Sequence, residues 1–329
     1  MNAILHLLLF ILILFIYIHV SEQYKTSNDL EIYEMDYQDC MQLQTTCSIK
    51  QPVLFHFQDI CPDFFNVVEY ERLSEYNPYE MKVRDNEDYY KEGATVDYTI
   101  LPLSATMVLI NSDTNKKYFS EDNHSFVDDA GLIRTFNECT PYLAPDMTVQ
   151  TTYDVMMGSK GAITPLRYHT HYRRFMGVMS GKIRIKMTPW KSSKHLLPVK
   201  DYDSYEFRSP IHVWNPQREY FHNMEKVKFL EFDVSAGNMI YIPPYWWYSI
   251  QYSEEPDNLL AGITYDTITS CLSNVPDTCM YFLQQSNIKH RVSKSISPIS
   301  TLPIRESESA EVVSELDNTN TDDSSKKMI

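Results

Sequence analysis

The sequence predicts a mainly β domain, built as a sandwich or a barrel with helices at its periphery. Two observations carry this prediction. From Met147 to Asp266 short apolar runs alternate with turns, for example in "FMGVMSGKIRIKMTPW" and "FLEFDVSAGNMIYIPP". Patterns typical of helices, such as "YERLSEY" and "CMYFLQQSNIKHR", lie outside that region. Short strands at this spacing are typical of sandwiches and barrels.

Length, charge and motifs narrow the functional classes. The chain has 329 residues, of which 43% are hydrophobic, so it can bury a sizeable core. Its formal net charge of −15 argues against binding to nucleic acid, which needs clustered Lys and Arg against phosphate. The sequence has no G-x-S-x-G motif and no phosphate-binding loop, so neither serine-hydrolase nor P-loop chemistry has support.

The first element along the chain is the apolar segment from Ala3 to Val20, at the lower length limit for spanning a bilayer. A cleaved signal peptide and an uncleaved anchor both remain open, since no small-x-small cleavage site follows Val20. The flank after it is acidic apart from Lys25, whereas cytoplasmic flanks favour Lys and Arg. The sequence therefore predicts a protein of the endoplasmic reticulum lumen or membrane, or of the secretory pathway, with a single span if the segment is retained.

Four regions follow from the composition. Residues 1–21 form the signal peptide or anchor, and the polar, acidic residues 22–49 form a linker that ends in a short helix. A buried strand begins at "PVLFHF", residues 52–57, so the folded domain is predicted over residues 50–290. Residues 291–329 are rich in Ser, Thr, Glu, Asp and Asn with almost no aromatic side chain, which is typical of a disordered tail.

Six cysteines follow the N-terminal segment, and an even number in a secretory protein permits disulfides. Cys271 and Cys279 are the first choice for a bridge because they are close in sequence, as are Cys40 and Cys47. Asn123-His124-Ser125 is a glycosylation sequon, so a lumenal body predicts a glycan on Asn123.

Two stretches match the two halves of a metal-binding barrel. The first is "GAITPLRYHTHYRRFMGVMSGKIRIKM" and the second is "GNMIYIPPYWWYSI". Residues two apart in a strand face the same side, so His169 and His171 can point inward together. A third ligand would come from the second stretch, where Tyr248 follows the tryptophan pair.

The order of "PVLFHF", "YFSEDN", "TPLRYH", "SGKIRIKMTPW", "GNMIYIPPYWWYSI" and "GITYDT" resembles the JmjC-type, cupin-like proteins. These are iron- and 2-oxoglutarate-dependent oxygenases, and the chain is most similar to the small JmjC proteins of the endoplasmic reticulum lumen. The resemblance implies a double-stranded β-helix, a jelly roll of two facing sheets with helices packed outside. Barrels of this family often dimerise, so it also implies a homodimer as one option.

The resemblance implies a degenerate site. The family's iron ligands are His-x-Asp/Glu and a distal His, and alignment on "TPL" puts Arg167, His169 and Tyr248 in these places. Ile183 takes the place of the lysine that binds the cosubstrate, flanked by Lys182 and Arg184. Thr164 matches a threonine that touches the cosubstrate. The residues expected around the pocket are Thr164, Arg167, Lys182, Arg184 and Trp246.

The substitutions argue against the family's chemistry. Arg167 is always cationic and has no lone pair for Fe(II), and the reference pKa of tyrosine, about 10, makes a Tyr248 phenolate costly. No catalytic residue and no cofactor are therefore expected. The leading interpretation is a non-catalytic protein that acts through protein interaction or binds a small anion through Arg167.

Two alternatives stay open. One is an oxygenase that uses Fe(II) and 2-oxoglutarate with an unusual ligand set, built from His169, His171 and Tyr248. The other is a cupin that binds a metal such as Zn or Mn with no redox role.

Overall fold

A computed structural model describes residues 2–68, 72–91 and 96–295. The helices are α1 (Asn2–Tyr24), α2 (Cys40–Cys47), α3 (Pro62–Val67), α4 (Leu103–Ser112), α5 (His124–Asp129), α6 (Ile133–Asn137), α7 (Thr140–Leu143), α8 (Ser193–Leu196), α9 (Phe221–Met224) and α10 (Ile268–Ser295). Short 3₁₀ turns lie at Arg72–Tyr76, Asn86–Tyr90, Trp190–Ser192 and Arg218–Tyr220.

The strands form two sheets within these ranges. They are β1 (Tyr33–Met35), β2 (Val53–His56), β3 (Glu80–Asp85), β4 (Thr99–Pro102), β5 (Tyr118–Ser120), β6 (Thr148–Gly158), β7 (Arg167–Tyr168), β8 (Arg173–Ser180), β9 (Lys182–Thr188), β10 (Val199–Asp201), β11 (Glu206–Arg208), β12 (Leu230–Ser235), β13 (Asn238–Ile242), β14 (Trp247–Tyr252) and β15 (Leu259–Thr267). One sheet has the order β1-β2-β13-β8-β15-β6-β5-β3-β4, and the other β10-β11-β7-β14-β9-β12. Apart from the parallel pair β1–β2, the pairing is antiparallel. This architecture confirms the predicted mainly β class with peripheral helices and is compatible with a jelly roll.

Two glycines carry the chain from one sheet to the other. Gly181 joins β8 to β9 with φ +76°, and Gly237 joins β12 to β13 with φ +84°. This left-handed region is open to glycine without the penalty that a Cβ brings. A Cβ on Gly181 would also lie 2.6 Å from Asn258 Oδ1, so the turn is closed to larger residues on two grounds.

The core between the sheets follows from alternation along the strands. Ile183, Ile185 and Met187 of β9 are all fully or almost fully buried, whereas Lys182 and Arg184 between and beside them are exposed. The apolar side chains of β9 pack in one cluster with residues of β8, β13 and β14. Burying an aliphatic side chain of this size contributes about 1.5–3 kcal/mol. A second cluster lies where the larger sheet meets helices α2, α3, α5, α6 and α7.

The segment 22–49 was predicted as a linker, but part of it folds with the domain. Tyr33 of β1 pairs with Val53 of β2 in parallel. The Asp39 carboxylate caps α2 by accepting a hydrogen bond from the backbone N–H of Gln42 at 2.8 Å. The buried Leu43 of α2 lies in the same core cluster as the strands.

The chain divides into two compact units, residues 1–284 and 285–329. Of the second unit the structure describes only residues 285–295, which are the last turns of α10. The predicted disordered tail, residues 291–329, therefore lies outside the described residues from position 296 onward.

Helix α1 has two different parts. Residues 4–18 are exposed, and within the described residues the segment Ile4–Tyr24 is the helix long and apolar enough to cross a membrane, a property that signal sequences share. The last turn instead contacts the domain. Gln23 Nε2 donates to the Thr170 carbonyl at 3.3 Å, and the Tyr24 hydroxyl donates to the Ser273 carbonyl at 2.7 Å. The Lys50 ammonium donates to the carbonyls of Glu22 and Gln23, where a cation complements the helix dipole.

Neither predicted disulfide fits the structure. Cys271 and Cys279 lie on one helix, α10, and eight residues at 1.5 Å per residue separate them by about 12 Å along its axis. Cys40 and Cys47 lie at the two ends of α2, about 10 Å apart by the same count. A disulfide requires Cα atoms within about 7 Å. Proximity in sequence was misleading here because both pairs lie in helical rather than looped segments.

Candidate functional site

The barrel positions singled out in the sequence meet at a cavity of about 190 Å³ beside β7 and β14. Arg167 of β7 is the cross-strand partner of Tyr248 of β14, and the Tyr245 N–H donates to the His169 carbonyl at 2.9 Å. The sheet therefore brings together the three positions that the alignment assigned to metal ligands. The side chains lining the cavity include Asp122, Arg167, His169, His171, Arg174, Glu206 and Tyr248.

Arg167 lies at the centre of a buried ion-pair network. Its guanidinium donates from both terminal nitrogens to the two carboxylate oxygens of Glu121, and from Nη1 to Glu206 Oε1 at 3.2 Å. Side-chain exposure is 8% for Arg167, 3% for Glu121 and 8% for Glu206. Burial alone would lower the pKa of Arg167, but the charges of Glu121, Tyr248 and Glu206 and the hydrogen bond to Glu121 together outweigh it and hold that pKa above its ordinary value. Arg167 is therefore a fixed cation whose two terminal nitrogens are engaged by carboxylates, while its Nε is buried and has no hydrogen-bond partner among the described residues.

Arg84 supplies the second cation of this network. Its guanidinium pairs with Asp122 at 2.8 Å, with Glu121 at 3.3 Å and with Glu206 at 3.4 Å. A buried charge is costly unless it is paired and hydrogen-bonded, and here each carboxylate meets at least one arginine. Sequence reasoning missed Arg84, Glu121 and Glu206, although Glu121 lies within the quoted motif "YFSEDN".

His169 is a buried neutral imidazole. Its Nε2 donates to the Ile242 carbonyl at 3.0 Å, so Nδ1 carries the lone pair. Nδ1 is buried, and none of the described residues provides it with a hydrogen-bond partner. Burial, helped by the positive charge of Arg174, lowers the pKa of His169 well below its ordinary value. His169, one of the residues that line the cavity, therefore contains a buried hydrogen-bond acceptor without a partner among the described residues.

His171 is held by a carboxylate. Its Nδ1 donates to Asp266 Oδ2 at 2.6 Å, and Asp266 Oδ1 accepts from the Tyr172 N–H and the Ser270 hydroxyl, each at 3.0 Å. Burial raises the pKa of Asp266, but these hydrogen bonds, that from His171 foremost, outweigh it and lower the pKa overall. These contacts give His171 a structural partner at the edge of the cavity.

Tyr248 is 1% exposed and lies between two cations. The guanidinium carbon of Arg167 is 5.7 Å from the centre of the Tyr248 ring, and that of Arg174 is 5.9 Å from it. Both distances fall within the range of cation–π attraction. The ring thus takes part in packing the two arginines, one of which occupies a ligand position.

These residues do not fit the iron centre that the fold family implies. A facial triad needs two imidazoles and a carboxylate with open positions, whereas the aligned positions hold a guanidinium, an imidazole and a phenol. Arg167 can only donate hydrogen bonds and would repel a cation. Among the residues that the structure describes, no group of three or more His, Cys, Asp or Glu side chains is arranged to hold a metal.

The structure does not bring Lys182 or Arg184 to the cavity. Both side chains lie on the outer face of β9, where Lys182 Nζ and Arg184 Nε pair with Asp233 at 2.7 Å and 2.8 Å. Ile183 points the other way and is 1% exposed within the inter-sheet core. Successive side chains of a strand point to opposite faces, so Lys182 and Arg184 must face away from the core when Ile183 faces into it.

Thr164 and Trp246 also lie away from the cavity lining. The Thr164 N–H donates to the Ile250 carbonyl at 2.8 Å, and Thr164 Oγ1 accepts from the Ile250 N–H at 2.9 Å. Trp246 has no exposed surface, and its Nε1 donates to the Lys50 carbonyl at 3.1 Å. Both side chains therefore tie segments of the barrel together instead of presenting groups to a ligand.

The side chain of Asn123, the residue of the sequon, is 2% exposed and fully hydrogen-bonded. Its Nδ2 donates to Ser120 Oγ at 2.9 Å and to the Val155 carbonyl at 2.8 Å, while Oδ1 accepts from the Lys82 N–H at 2.7 Å. A glycan on Nδ2 would break these bonds and enter the core, so it is incompatible with this folded arrangement.

Replacing His169 by Gln is expected to make the free energy of unfolding less dependent on pH in the acidic range. Because the folded-state pKa of His169 is depressed, only the unfolded chain takes up this proton as the pH falls below about 6.5. Stability contributed by the neutral imidazole is complete above that pH and lost below it. Between about pH 7.5 and about pH 5.5 the wild type should lose about 1.4 kcal/mol more than His169→Gln. Urea unfolding measures this difference. The exposed His124→Gln is the control, and equal pH slopes in all three proteins would contradict the assignment.

Comparison with known proteins agrees with this architecture. A sequence model described as a cupin-like domain matches residues 50–270. The chain is 30% identical over 95 residues to the JmjC domain-containing protein D of Dictyostelium discoideum. That match covers 29% of this chain and 21% of the relative. It is 25% identical over 96 residues to the HSPB1-associated protein 1 of Rattus norvegicus, covering 29% and 20%. The matched segments span about a fifth of each relative's length. Since the cupin-like match covers more than half of the chain, and one of these relatives is named for its JmjC domain, the chain belongs to the JmjC-type cupin-like domain family.

Proposed function

We propose that this chain is a catalytically inactive JmjC-type cupin of the secretory pathway or its membranes, whose barrel cavity binds a small anion. One observation carries the inactive assignment. Arg167, paired with Glu121 and Glu206, fills the place of the family's first metal ligand. Moving that guanidinium aside for a metal would leave two buried carboxylates without their main partner, a cost of several kcal/mol.

Because of the contacts that Arg167 makes, Arg174 is the better candidate for the anion site. Both terminal nitrogens of Arg167 are engaged by carboxylates and its unpaired Nε is buried, so Arg167 offers no accessible donors to the anion expected there from the sequence. Arg174 lines the same cavity and is partly exposed, and among the described side chains no carboxylate forms an ion pair with it. A guanidinium matches the planar fork of a carboxylate. Arg174 is therefore the cation best placed to hold an anion.

The unused lone pair of His169 Nδ1 favours a ligand that also carries a donor. A small carboxylate with a hydroxyl or amino group would satisfy Arg174 through its carboxylate and Nδ1 through its O–H or N–H. Asp122 and Glu206 also line the cavity, but Arg84 and Arg167 offset their charges. Protein interaction and homodimer formation remain expectations from the family resemblance.

Attachment to the membrane is supported by helix α1. Its exposed part is long and apolar, and its last turn is hydrogen-bonded to the domain through Gln23, Tyr24 and Lys50. This docking favours a retained anchor over a cleaved signal peptide. The acidic flank after Val20 favours a lumenal body. Protection of the body from protease in intact microsomes would support this, and complete digestion without detergent would contradict it.

The full chain in mild detergent, titrated with malate, serine, 2-oxoglutarate and phosphate, tests the proposed function. We expect no stoichiometric iron, no consumption of 2-oxoglutarate, and binding of at least one small carboxylate by calorimetry. Arg174→Met should weaken that binding at least about tenfold, since hydrogen bonds to a charged group contribute about 1.5–3 kcal/mol. Arg184→Met on the outer face is the matched control and should leave binding unchanged. One Fe(II) per chain with 2-oxoglutarate turnover would overturn the inactive assignment, and equal affinities in all variants would overturn the anion site.

A further inference from the structure

Two cysteines far apart in the sequence meet in the core. The sulfur atoms of Cys61 and Cys139 are 3.6 Å apart, with Cys139 as the hydrogen-bond donor, and the residues are 78 positions apart. Cys61 precedes α3 and Cys139 precedes α7, and they are 6% and 0% exposed. The aromatic rings of Phe64 on α3 and Phe136 on α6, the helix that ends just before Cys139, are 5.1 Å apart between centroids.

We propose that Cys61 and Cys139 form a disulfide bond in the mature protein. Their sulfurs are already in contact, and the covalent S–S distance of about 2.05 Å requires the sulfurs to approach each other by only about 1.5 Å. Both residues begin short helices, where the chain enters from a turn. This distinguishes them from Cys271 and Cys279, which a continuous helix holds apart.

The oxidation proceeds by thiol–disulfide exchange with an oxidant that itself carries a disulfide. The Cys61 thiolate attacks one sulfur of that disulfide and expels the other as a thiolate. Cys139, once deprotonated, attacks the Cys61 sulfur and expels the second sulfur of the oxidant. One S–S bond forms in the protein and one breaks in the oxidant, whose two sulfurs take up the two electrons and the two thiol protons and leave as thiols. The hydrogen bond from Cys139 lowers the pKa of Cys61 to about 7, which provides thiolate at neutral pH.

The bridge would close the loop that carries half of the ion-pair network. Arg84, Glu121 and Asp122 all lie between positions 61 and 139. Of these, Glu121 pairs with Arg167, while Arg84 pairs with both Glu121 and Asp122. Cross-linking a long loop restricts the unfolded chain, so the disulfide would stabilise the segment that supplies Glu121, the bidentate partner of Arg167. Because both sulfurs are buried, we expect the bond to form while the chain folds, which rests on the lumenal location proposed above.

Peptide mapping of the full chain tests the bridge. Protein made in eukaryotic secretory cells is alkylated, denatured without reductant and digested, and mass spectrometry should find the Cys61 and Cys139 peptides linked. In parallel, the full chain in detergent is equilibrated in a glutathione redox buffer. Free Cys61 and Cys139 thiols in both preparations would overturn the pairing. A link in the buffer but not in cells would overturn the lumenal location, and with it the bridge in the mature protein, while leaving the cavity assignment intact.

The effect of a reductant on the melting temperature distinguishes a disulfide bond from two thiols that are only packed together. The wild type should lose about 5–15 °C in melting temperature on reduction. The double variant Cys61→Ala, Cys139→Ala should melt at the same temperature with and without reductant, whatever its starting stability. The control variant Cys40→Ala, Cys279→Ala should keep the full reductant-dependent shift. A wild type whose melting temperature does not respond to reductant would contradict the proposal.

Discussion

Replacing Arg167 by Met should lower the free energy of unfolding by about 3–5 kcal/mol, because it leaves buried carboxylates without their main partner. Glu121 loses a bidentate contact and Glu206 loses one of its three arginine partners. Chemical denaturation of the full chain in mild detergent measures the loss. This is a far larger effect than the median for surface charges, since exposed ion pairs contribute little.

Two further variants identify the cause of that loss. Arg167→Met combined with Glu121→Leu should recover much of the stability, since Arg84 and Arg208 still pair with Glu206 and the Glu121 charge has gone. Arg184→Met removes an arginine from an exposed pair and should change stability much less. A loss below about 1 kcal/mol in Arg167→Met would mean that the network is not the buried, mutually dependent unit described above.

The triple variant Arg167→His, His169→Asp, Tyr248→His should acquire a divalent-metal site that the parent lacks. The three positions adjoin on β7 and β14, and the change installs the two imidazoles and carboxylate of a facial triad. Removing Arg167 also leaves Glu121 and Glu206 close by, which favours a cation. Affinity for Co(II), an oxygen-stable substitute for Fe(II), should rise at least about 100-fold, since even outer-shell changes alter metal affinity about 10–100-fold.

Calorimetry and the visible spectrum of bound Co(II) measure this gain. The double variant Arg167→His, Tyr248→His keeps His169 and lacks the carboxylate, so it should bind more weakly than the triple variant. Far-UV circular dichroism establishes that each variant is folded before titration. Strong binding by the parent, or a folded triple variant no better than the parent, would contradict the assignment of these positions.

The sequence by itself was sufficient to predict the architecture and to identify the aligned positions at the site. Alternating apolar residues at short spacing predicted the two-sheet domain, because side chains of a strand point to opposite faces and one face must be buried. The same period explains why Ile183 faces the core while Lys182 and Arg184 face outward. The turns between the sheets fall on Gly181 and Gly237, since the positive φ that each turn needs favours glycine.

Only the tertiary structure decided which groups meet. Arg167 was recognised as a cation in a ligand position, but its partners Glu121 and Glu206 are 46 and 39 positions away. Nothing local in the sequence distinguishes them from the other acidic residues. The cysteines show the same limit, since neighbours in sequence are held apart by helices whereas Cys61 and Cys139 meet across 78 positions. The alternation of apolar and polar residues is a local pattern, because burial of one face imposes it on each strand separately. The partner of a buried charge or thiol depends instead on how distant segments of the chain pack together.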